Sequence, residues 1–454
     1  MPTIPTTELV DDAITVLDGV RREWLRRPGV TAVDVGYKIS DGELTDDVAL
    51  RVHVARKLPV AELAAAEVFN ESGGTPTELE GFPIDVIEAT YGPSDTDGSV
   101  VLDYDDPESL EAVDRKSAVN PLIGGVSCGN TRVTAGTLGV IVYDRATCQP
   151  MILSNWHVLA GASAARVGES IVQPGSIDGG TQTVATLTRM RLDSAMDAAV
   201  ATLNGARGHN RDILGLGTVS GTETAHLGML VVKSGRTTAI TQGIVDGVSM
   251  SVSINYGDPG VVAFSNQIRI VPRPPWPAVD YEVSKGGDSG SVWLNQANNR
   301  AIGLHFAGEN DPSPASENAI ANPIGPVAQA LNFSFLPVLC PRKPLVPFDL
   351  CMRYPWLCKE FRWDDWFRPP IPDPPFDFPP IPPFRLVDGP VLPPIAGPLG
   401  GGLTGPLAGR GLQSAPASES TSAAHADGDC GCGGSIDHRE LADVIAAYLE
   451  GRHR

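Results

Sequence analysis

The chain has 454 residues, of which 42% are hydrophobic, and its formal net charge is -20. This length allows two or three domains with at least one large core, and the acidic balance argues against a general nucleic-acid binder, which needs a basic surface. No apolar run of about 18 residues predicts a membrane span, and the N-terminus lacks the basic and apolar segments of a secretory signal, so we expect a cytoplasmic protein without a membrane partner.

The seven cysteines do not form an obvious framework. Their odd number, without a signal peptide, argues against obligatory disulfides, although Cys128 with Cys148, or pairs among the later cysteines, could still oxidise. Cys430 and Cys432 have no second cysteine pair or histidine array beside them. The sequence therefore predicts neither a metal site nor a cofactor.

The first 91 residues are predicted to form a small α+β domain. Apolar residues at three- and four-residue steps predict a helix over residues 7–27, which Pro28 and Gly29 end. Further elements are predicted as strands over residues 30–39, 48–54 and 82–88 and a helix over residues 59–69. His53 lies on one of these strands without an acid or cysteine nearby in the sequence, which favours a structural role.

The remaining chain divides by composition. Residues 92–118 are acidic and predict a solvated linker, with a prosegment as the alternative. Residues 119–337 contain short apolar runs separated by turn signals, which is typical of a β-sandwich or barrel. Residues 338–434 form a Pro/Gly-rich extended or disordered tail, and residues 435–454 predict a C-terminal helix. This tail and helix are candidates for docking a partner or a second copy of the chain.

The segment Gly286-Gly287-Asp288-Ser289-Gly290-Ser291 stands out within the all-β region. Glycines allow a sharp turn and leave space against the main chain, so Ser289 could be presented as a nucleophile beside free backbone N–H groups. The alternative is an ordinary surface turn, in which Gly, Asp and Ser are common.

Two further residues supply what a nucleophilic serine needs. His157 ends an apolar run and could act as the base, and Asp197 opens another run and could orient the histidine. Each has an ordinary explanation by itself, as a satisfied histidine or a turn residue. Their occurrence in one all-β region favours a catalytic set.

In this order, His157, Asp197 and Ser289 resemble the chymotrypsin/trypsin-like serine proteases. Ser-Asn-Trp-His-Val resembles the histidine motif, with Trp156 as a departure, and Gly-Asp-Ser-Gly-Ser matches the nucleophile motif. The resemblance implies a mainly β, chymotrypsin-like double β-barrel over residues 119–337. It also implies a serine endopeptidase acting on polypeptides, with the backbone N–H groups of Gly287 and Ser289 as the oxyanion hole.

A narrower resemblance, to bacterial relatives of the plant narrow-leaf trypsin-like proteins, rests on the N-terminal unit and residues 233–238. We interpret residues 233–238 as a turn and strand start of the second barrel. Ile123-Gly124-Gly125 faintly resembles the new N-terminus of a cleaved zymogen, whose amine could reach Asp288. No basic cleavage signal directly precedes it, so we expect a protease that is active without cleavage.

Substrate preference is predicted from two positions. In proteases resembling this chain, the position of Val283 lies near the base of the primary specificity pocket, and an apolar residue there argues against a preference for Lys or Arg. His305 lies in Gly-Leu-His, which resembles the Gly-x-His pocket wall of glutamyl endopeptidases and picornaviral main proteases. His305 would then bind a Glu or Gln side chain; the alternative is a buried histidine satisfied by backbone.

Two other functions remain open from the sequence. The chain could be a non-catalytic scaffold on a protease fold that binds partners through its Pro-rich tail. It could also be a self-processing protein whose linker or tail is the substrate.

Overall fold

The structure is a computed structural model that describes residues 1–57, 77–93, 113–274, 282–309 and 317–338. The predicted helix over residues 59–69, most of the acidic linker, nearly all of the Pro/Gly-rich tail and the C-terminal helix lie outside these ranges. Within them, no helix is long and apolar enough to span a membrane.

The N-terminal segment begins with helix α1 (Thr7–Trp24), which ends three residues before the predicted boundary. The Thr6 side chain caps it by accepting a hydrogen bond from Leu9 N at 3.3 Å. Its buried face, which includes Leu17 and Trp24, packs on the following strands and forms one hydrophobic core with them. These strands are β1 (Val30–Ser40), β2 (Glu43–Val54), β3 (Glu78–Leu79), β4 (Phe82–Glu88) and β5 (Tyr91–Pro93).

The rest of the described chain is almost entirely β. Ten strands come first: β6 (Leu122–Gly124), β7 (Val126–Asn130), β8 (Gly136–Leu138), β9 (Val140–Asp144), β10 (Pro150–Ser154), β11 (Ser170–Val172), β12 (Thr183–Leu192), β13 (Asp197–Leu203), β14 (His209–Ile213) and β15 (Gly217–Thr218). Eight follow: β16 (Gly221–Thr222), β17 (Leu230–Gly235), β18 (Ala239–Asn255), β19 (Val261–Pro272), β20 (Val292–Asn295), β21 (Arg300–Glu309), β22 (Ala319–Pro323) and β23 (Phe333–Ser334). Two short helices, α2 (Trp156–Leu159) and α3 (Ile324–Ala330), lie between them.

The first large sheet has eight strands in the order β23-β9-β10-β13-β12-β11-β7-β8. Alternate residues along its central strands face opposite sides, as the pleat requires. Ile141 and Ile152 join a core within this sheet, whereas Val142 and Leu153 join a second core shared with Leu294 and other residues of the second sheet. The two sheets are therefore packed together through apolar side chains.

The second sheet closes into a barrel. Its strands run β17-β20-β21-β22-β19-β18, and β17 also pairs with β18, which completes a ring of six strands. The mainly β fold with a small N-terminal α+β unit, predicted from the sequence, is confirmed.

The N-terminal strands extend this second sheet. The long β18 pairs with β17 through its first residues and with β1 further along, where Ala32 lies opposite Val252. On its other edge β1 pairs with β2, and β2 pairs in parallel with β4. The N-terminal unit therefore shares a continuous sheet with the second barrel. The domain boundaries assigned from the sequence remain predictions.

A fully buried polar cluster lies where β1 and β2 meet β18. Arg51 Nε donates to Asp34 Oδ1 at 2.7 Å, and Arg51 Nη1 donates to Asp246 Oδ2 at 2.7 Å. Burial by itself would raise the pKa of Asp34, but the Arg51 charge outweighs it and holds that pKa well below its usual range. Removing one partner of such a pair typically costs about 3–5 kcal/mol, so the cluster fixes the N-terminal strands to the barrel.

The same cluster gives His53 an acidic partner that the sequence did not indicate. No acid is near it in the sequence, but β1 brings Asp34 Oδ1 to 3.0 Å from His53 Nε2. Tyr91 Oη lies 2.6 Å from His53 Nδ1. Burial lowers the pKa of His53, and the carboxylate of Asp34 can only accept, so Nε2 carries the proton and Tyr91 donates to Nδ1.

The described cysteines differ from each other. Cys128 is a buried free thiol, whereas Cys148 is disulfide-bonded, which excludes a Cys128–Cys148 pair. Disulfides are rare in reducing compartments. The cytoplasmic location expected from the sequence therefore remains a prediction without structural support.

Candidate active site

Asp197 and His157 meet at one end of the first sheet. Strands β10 and β13 are antiparallel neighbours, with Ser154 opposite Ala199, so the residue that opens β13 lies beside the chain leaving β10. Asp197 Oδ1 accepts the backbone N–H groups of Trp156 at 2.6 Å and His157 at 3.2 Å. Its other oxygen, Oδ2, contacts His157 Nδ1. Asp197 is fully buried and His157 is only 4% exposed, so solvent screens this contact little.

Two asparagines hold the backbone of Asp197. The side-chain amides of Asn155 and Asn322 donate to the Asp197 carbonyl at 2.8 and 3.1 Å. Asn322 Oδ1 also accepts the Asp197 N–H at 3.2 Å. Asn322 belongs to β22, so the second barrel helps to fix an aspartate of the first sheet. Neither asparagine was predicted from the sequence, although Asn155 lies within the histidine motif.

A tyrosine completes the surroundings of the carboxylate. Tyr256 follows β18, and its hydroxyl donates to Asp197 Oδ2 at 2.7 Å. Tyr256 was not predicted from the sequence either. Its only signal is a turn sequence, Asn-Tyr-Gly-Asp-Pro-Gly, and nothing in that sequence indicates a contact with Asp197.

Ser289 lies in a loop that depends on glycine. Gly287 has a φ of 95°, a conformation that L side chains rarely adopt, and a Cβ there would lie 2.5 Å from Thr237 Oγ1. The preceding turn is closed by Asp288 N donating to Lys285 O at 3.0 Å. The motif glycine is therefore required by the backbone.

The same loop is bound to the first sheet next to His157. Thr137 N donates to the Ser289 carbonyl at 2.8 Å, and Thr137 Oγ1 donates to the Gly287 carbonyl at 2.9 Å. In turn, Ser154 Oγ donates to the Thr137 carbonyl at 2.7 Å. Ser154 is the last residue of β10 and lies three positions before His157. The loop of Ser289 thus packs against the strand end that carries the histidine.

A buried ion pair holds Asp288, the neighbour of Ser289. Lys233 Nζ lies 3.1 Å from Asp288 Oδ2, and both side chains are fully buried. Thr237 N and Thr238 N also donate to Asp288 Oδ1 at 2.8 and 3.1 Å. Burial opposes ionisation of Asp288, but the Lys233 charge and these donors lower its pKa to about 2.

Lys233 pairs with Asp288, the residue that the amine of a cleaved zymogen could have reached. Residues 233–235 end β17 and residues 236–238 form the turn before β18, so the predicted turn is present, whereas the predicted strand start is a strand end. The segment also supplies partners of Asp288. Ile123 lies instead within β6, which pairs with β14. The expectation of a protease that is active without cleavage stays a prediction.

His305 lies directly behind the Ser289 loop. It is fully buried in β21, its N–H donates to the Ser291 carbonyl at 2.9 Å, and its carbonyl accepts the Gly290 N–H at 2.9 Å. Among the described residues neither ring nitrogen makes a hydrogen bond of normal geometry, beyond a weak interaction with the Ile320 backbone. Burial, followed by the Lys233 charge, lowers the pKa of His305 to about 3, so the imidazole is neutral.

Val283 packs against the second barrel near His305. It is fully buried in a core cluster with Trp293, whose ring centroid lies 6.3 Å from that of His305. The residue before it, Glu282, lies near Glu309 and Glu317. Burial of Glu317, together with these two acidic neighbours, raises its pKa to about 9. The surroundings of Val283 therefore combine an apolar floor with an acidic group that is protonated at neutral pH.

Comparison with known proteins gives matches of structure only. No family model matches the chain, and no curated protein matches its sequence. Three solved structures that resemble it are serine proteases. Thermobifida fusca protease A is 20% identical, with 47% of this chain and 97% of that chain covered and a TM-score of 0.34, and Cellulomonas bogoriensis chymotrypsin is 19% identical, with coverages of 48% and 99% and a TM-score of 0.34. A glutamic acid specific serine protease, which uses a histidine triad in substrate binding, is 21% identical, with coverages of 47% and 99% and a TM-score of 0.36. The likeness is one of fold and covers just under half of the chain.

Proposed function

We propose that the chain is a serine endopeptidase with His157, Asp197 and Ser289 as its catalytic residues. The observation that carries this proposal is the buried contact of His157 Nδ1 with Asp197 Oδ2, at the strand end against which the Ser289 loop packs. A hydrogen bond from Nδ1 to an ionised aspartate leaves Nε2 as the basic nitrogen. This is the tautomer that a general base for serine needs.

In the proposed reaction, Ser289 Oγ attacks the scissile carbonyl while His157 Nε2 takes the hydroxyl proton. The resulting tetrahedral intermediate loses the amine, which receives that proton from His157, and leaves an acyl-enzyme. Water then attacks the ester by the same sequence. The backbone N–H groups of Gly287 and Ser289 are the proposed oxyanion donors, each typically worth about 3–4 kcal/mol in the transition state.

The substrate class that follows is polypeptide. The narrower kinship with bacterial relatives of the plant narrow-leaf trypsin-like proteins rests on the N-terminal unit and residues 233–238, and it remains a prediction.

Covalent labelling tests the proposal. A small alkyl fluorophosphonate, chosen because Ser289 is buried, should phosphonylate the folded protein once, with loss of fluoride, and peptide mass spectrometry should locate the adduct on Ser289. The Ser265→Ala variant, which lacks an exposed serine on β19, should label as the wild type does, and Ser289→Ala should not label. A folded protein that shows no adduct at Ser289 would contradict the proposed nucleophile.

For specificity, we propose that His305 and Val283 contribute to a pocket for the side chain before the cut, with Gln preferred over Glu. A neutral imidazole offers one donor and one acceptor, which matches an amide. Glu282 and Glu309, whose charges help to raise the pKa of Glu317, disfavour a further carboxylate by repulsion. Val283 itself offers no carboxylate to pair with Lys or Arg.

A peptide library tests this preference. We expect kcat/KM for Gln before the cut to exceed that for Glu by about tenfold or more, since a hydrogen-bonding pocket discriminates strongly against an unmatched group. His305→Ala should remove the Gln preference, whereas His209→Ala, at an exposed histidine of β14, should keep it. An apolar preference that survives His305→Ala would exclude this role.

A further inference from the structure

We propose that Tyr256 is a positioning residue for the catalytic pair: its hydroxyl fixes the Asp197 carboxylate in the orientation that meets His157. This inference rests on the proposed function, because it assigns a role to Tyr256 within that site. It also gives the second barrel, and the N-terminal strand beside it, a part in the chemistry of the first sheet.

The Asp197 carboxylate has hydrogen-bond donors at both of its oxygens. Oδ1 accepts two backbone N–H groups, from Trp156 and His157, and these leave Oδ2 for side chains. Oδ2 contacts His157 Nδ1 and accepts the Tyr256 hydroxyl at 2.7 Å. Rotation of the carboxylate would break contacts on both oxygens at once. Tyr256 is thus the side-chain donor that shares Oδ2 with the imidazole.

The ring of Tyr256 is held in position by neighbouring aromatic rings and by its own turn. Its centroid lies 6.4 Å from that of Trp156, 5.8 Å from that of His157 and 6.2 Å from that of Phe264. The backbone N–H of Tyr256 donates to the Gly260 carbonyl at 3.0 Å and closes the turn between β18 and β19. Ring packing and the closed turn together direct the hydroxyl toward Asp197, so little side-chain freedom is lost when the hydrogen bond forms.

The β18–β19 hairpin, whose turn contains Tyr256, is itself supported by neighbouring segments. Asp258 Oδ2, at its tip, accepts the N–H of Ser163 at 3.2 Å, in the chain that follows α2. On one side β18 pairs with β19, and on the other it pairs with β1, where Ala32 lies opposite Val252. The hairpin that carries Tyr256 is therefore part of the second barrel and is supported on its other edge by the N-terminal segment.

The test is Tyr256→Phe in the full-length protein, which keeps the ring and removes only the hydroxyl. We expect kcat for a peptide substrate to fall by about tenfold with KM unchanged, because a hydrogen bond to a charged group is lost in the site and no substrate contact is. Loss of this donor also strengthens the remaining bond to Oδ2. The low-field proton resonance of the His157 imidazole should therefore move further downfield.

Tyr143→Phe, in β9, is the matched control and should leave kcat, KM and the resonance at wild-type values. An unmoved resonance, an unchanged kcat or a change in KM alone in Tyr256→Phe would overturn the inference. The resonance is read without substrate, so it reports on the Tyr256 contact even if Ser289→Ala proves fully active. That last result would end the proposed function, whereas a failure confined to Tyr256→Phe would leave the function standing.

Discussion

If Ser289 is the proposed nucleophile, its replacement by alanine is expected to lower kcat for peptide hydrolysis by about six orders of magnitude, as the loss of a triad nucleophile does in serine proteases. Without the serine Oγ no acyl-enzyme can form. A water molecule that takes the place of Oγ is not attached to the protein and is not held against the His157 imidazole. The measurement is hydrolysis of a fluorogenic peptide, with enough enzyme to detect the residual rate.

Stability distinguishes this loss from misfolding. The loop is held by hydrogen bonds from Thr137 to the carbonyl groups of Ser289 and Gly287, and Thr137 is in turn held by Ser154. Alanine at position 289 leaves all of these contacts in place. We therefore expect the midpoint of thermal unfolding to stay close to that of the wild type. The Ser265→Ala variant should keep both activity and stability. Hydrolysis by Ser289→Ala at the wild-type rate would exclude Ser289 as the nucleophile.

Replacement of Asp197 by asparagine is expected to lower kcat by about four orders of magnitude. Two backbone N–H groups face Oδ1, so the asparagine must place its oxygen there and its NH₂ group toward Tyr256 and His157. The amide would then donate toward Nδ1, which favours the opposite imidazole tautomer, with the proton on Nε2. That tautomer cannot accept the Ser289 proton.

The control is Asp193→Asn, in the turn that leads into β13. Asp193 Oδ1 accepts the N–H of Ala195 at 2.8 Å, a contact that an asparagine oxygen can keep, and its pKa is lowered mainly by Arg191 against the effect of burial. We expect kcat to change by less than about threefold in this variant, because a surface ion pair is worth little. Equal losses in Asp193→Asn and Asp197→Asn would indicate a distorted turn and would contradict a specific role for Asp197.

Local signals predicted the elements that depend on neighbouring residues. The three-residue and four-residue steps of apolar side chains in α1, the apolar runs of β10 and β13, and the glycines around Ser289 all reflect constraints within a few residues. The order of His157, Asp197 and Ser289 similarly pointed to a two-barrel protease fold. The end of α1 was placed too late because Leu25, Arg26 and Arg27 extend the helical pattern, whereas the chain leaves the helix after Trp24.

Contacts between distant strands could not be predicted in the same way. His53 was expected to lack an acidic partner because Asp34 precedes it by nineteen residues, and only the pairing of β1 with β2 brings the two together. Lys233 gave no sign that it would pair with Asp288, since burial in the closed barrel creates that contact. Such pairs depend on register and closure, which no local pattern encodes.

The sequence by itself determined the chemistry available to this protein: a serine in a glycine-rich turn, a histidine and an aspartate at the ends of apolar runs, and an all-β region of short apolar runs separated by turns. Only the tertiary structure decided which contacts position these residues. It joined the N-terminal strand to β18, placed Tyr256 and Asn322 against Asp197, and buried Lys233 beside Asp288. The physical reason is that side-chain identity is a local property, whereas hydrogen-bond geometry and burial arise only when strands far apart in the chain pack together.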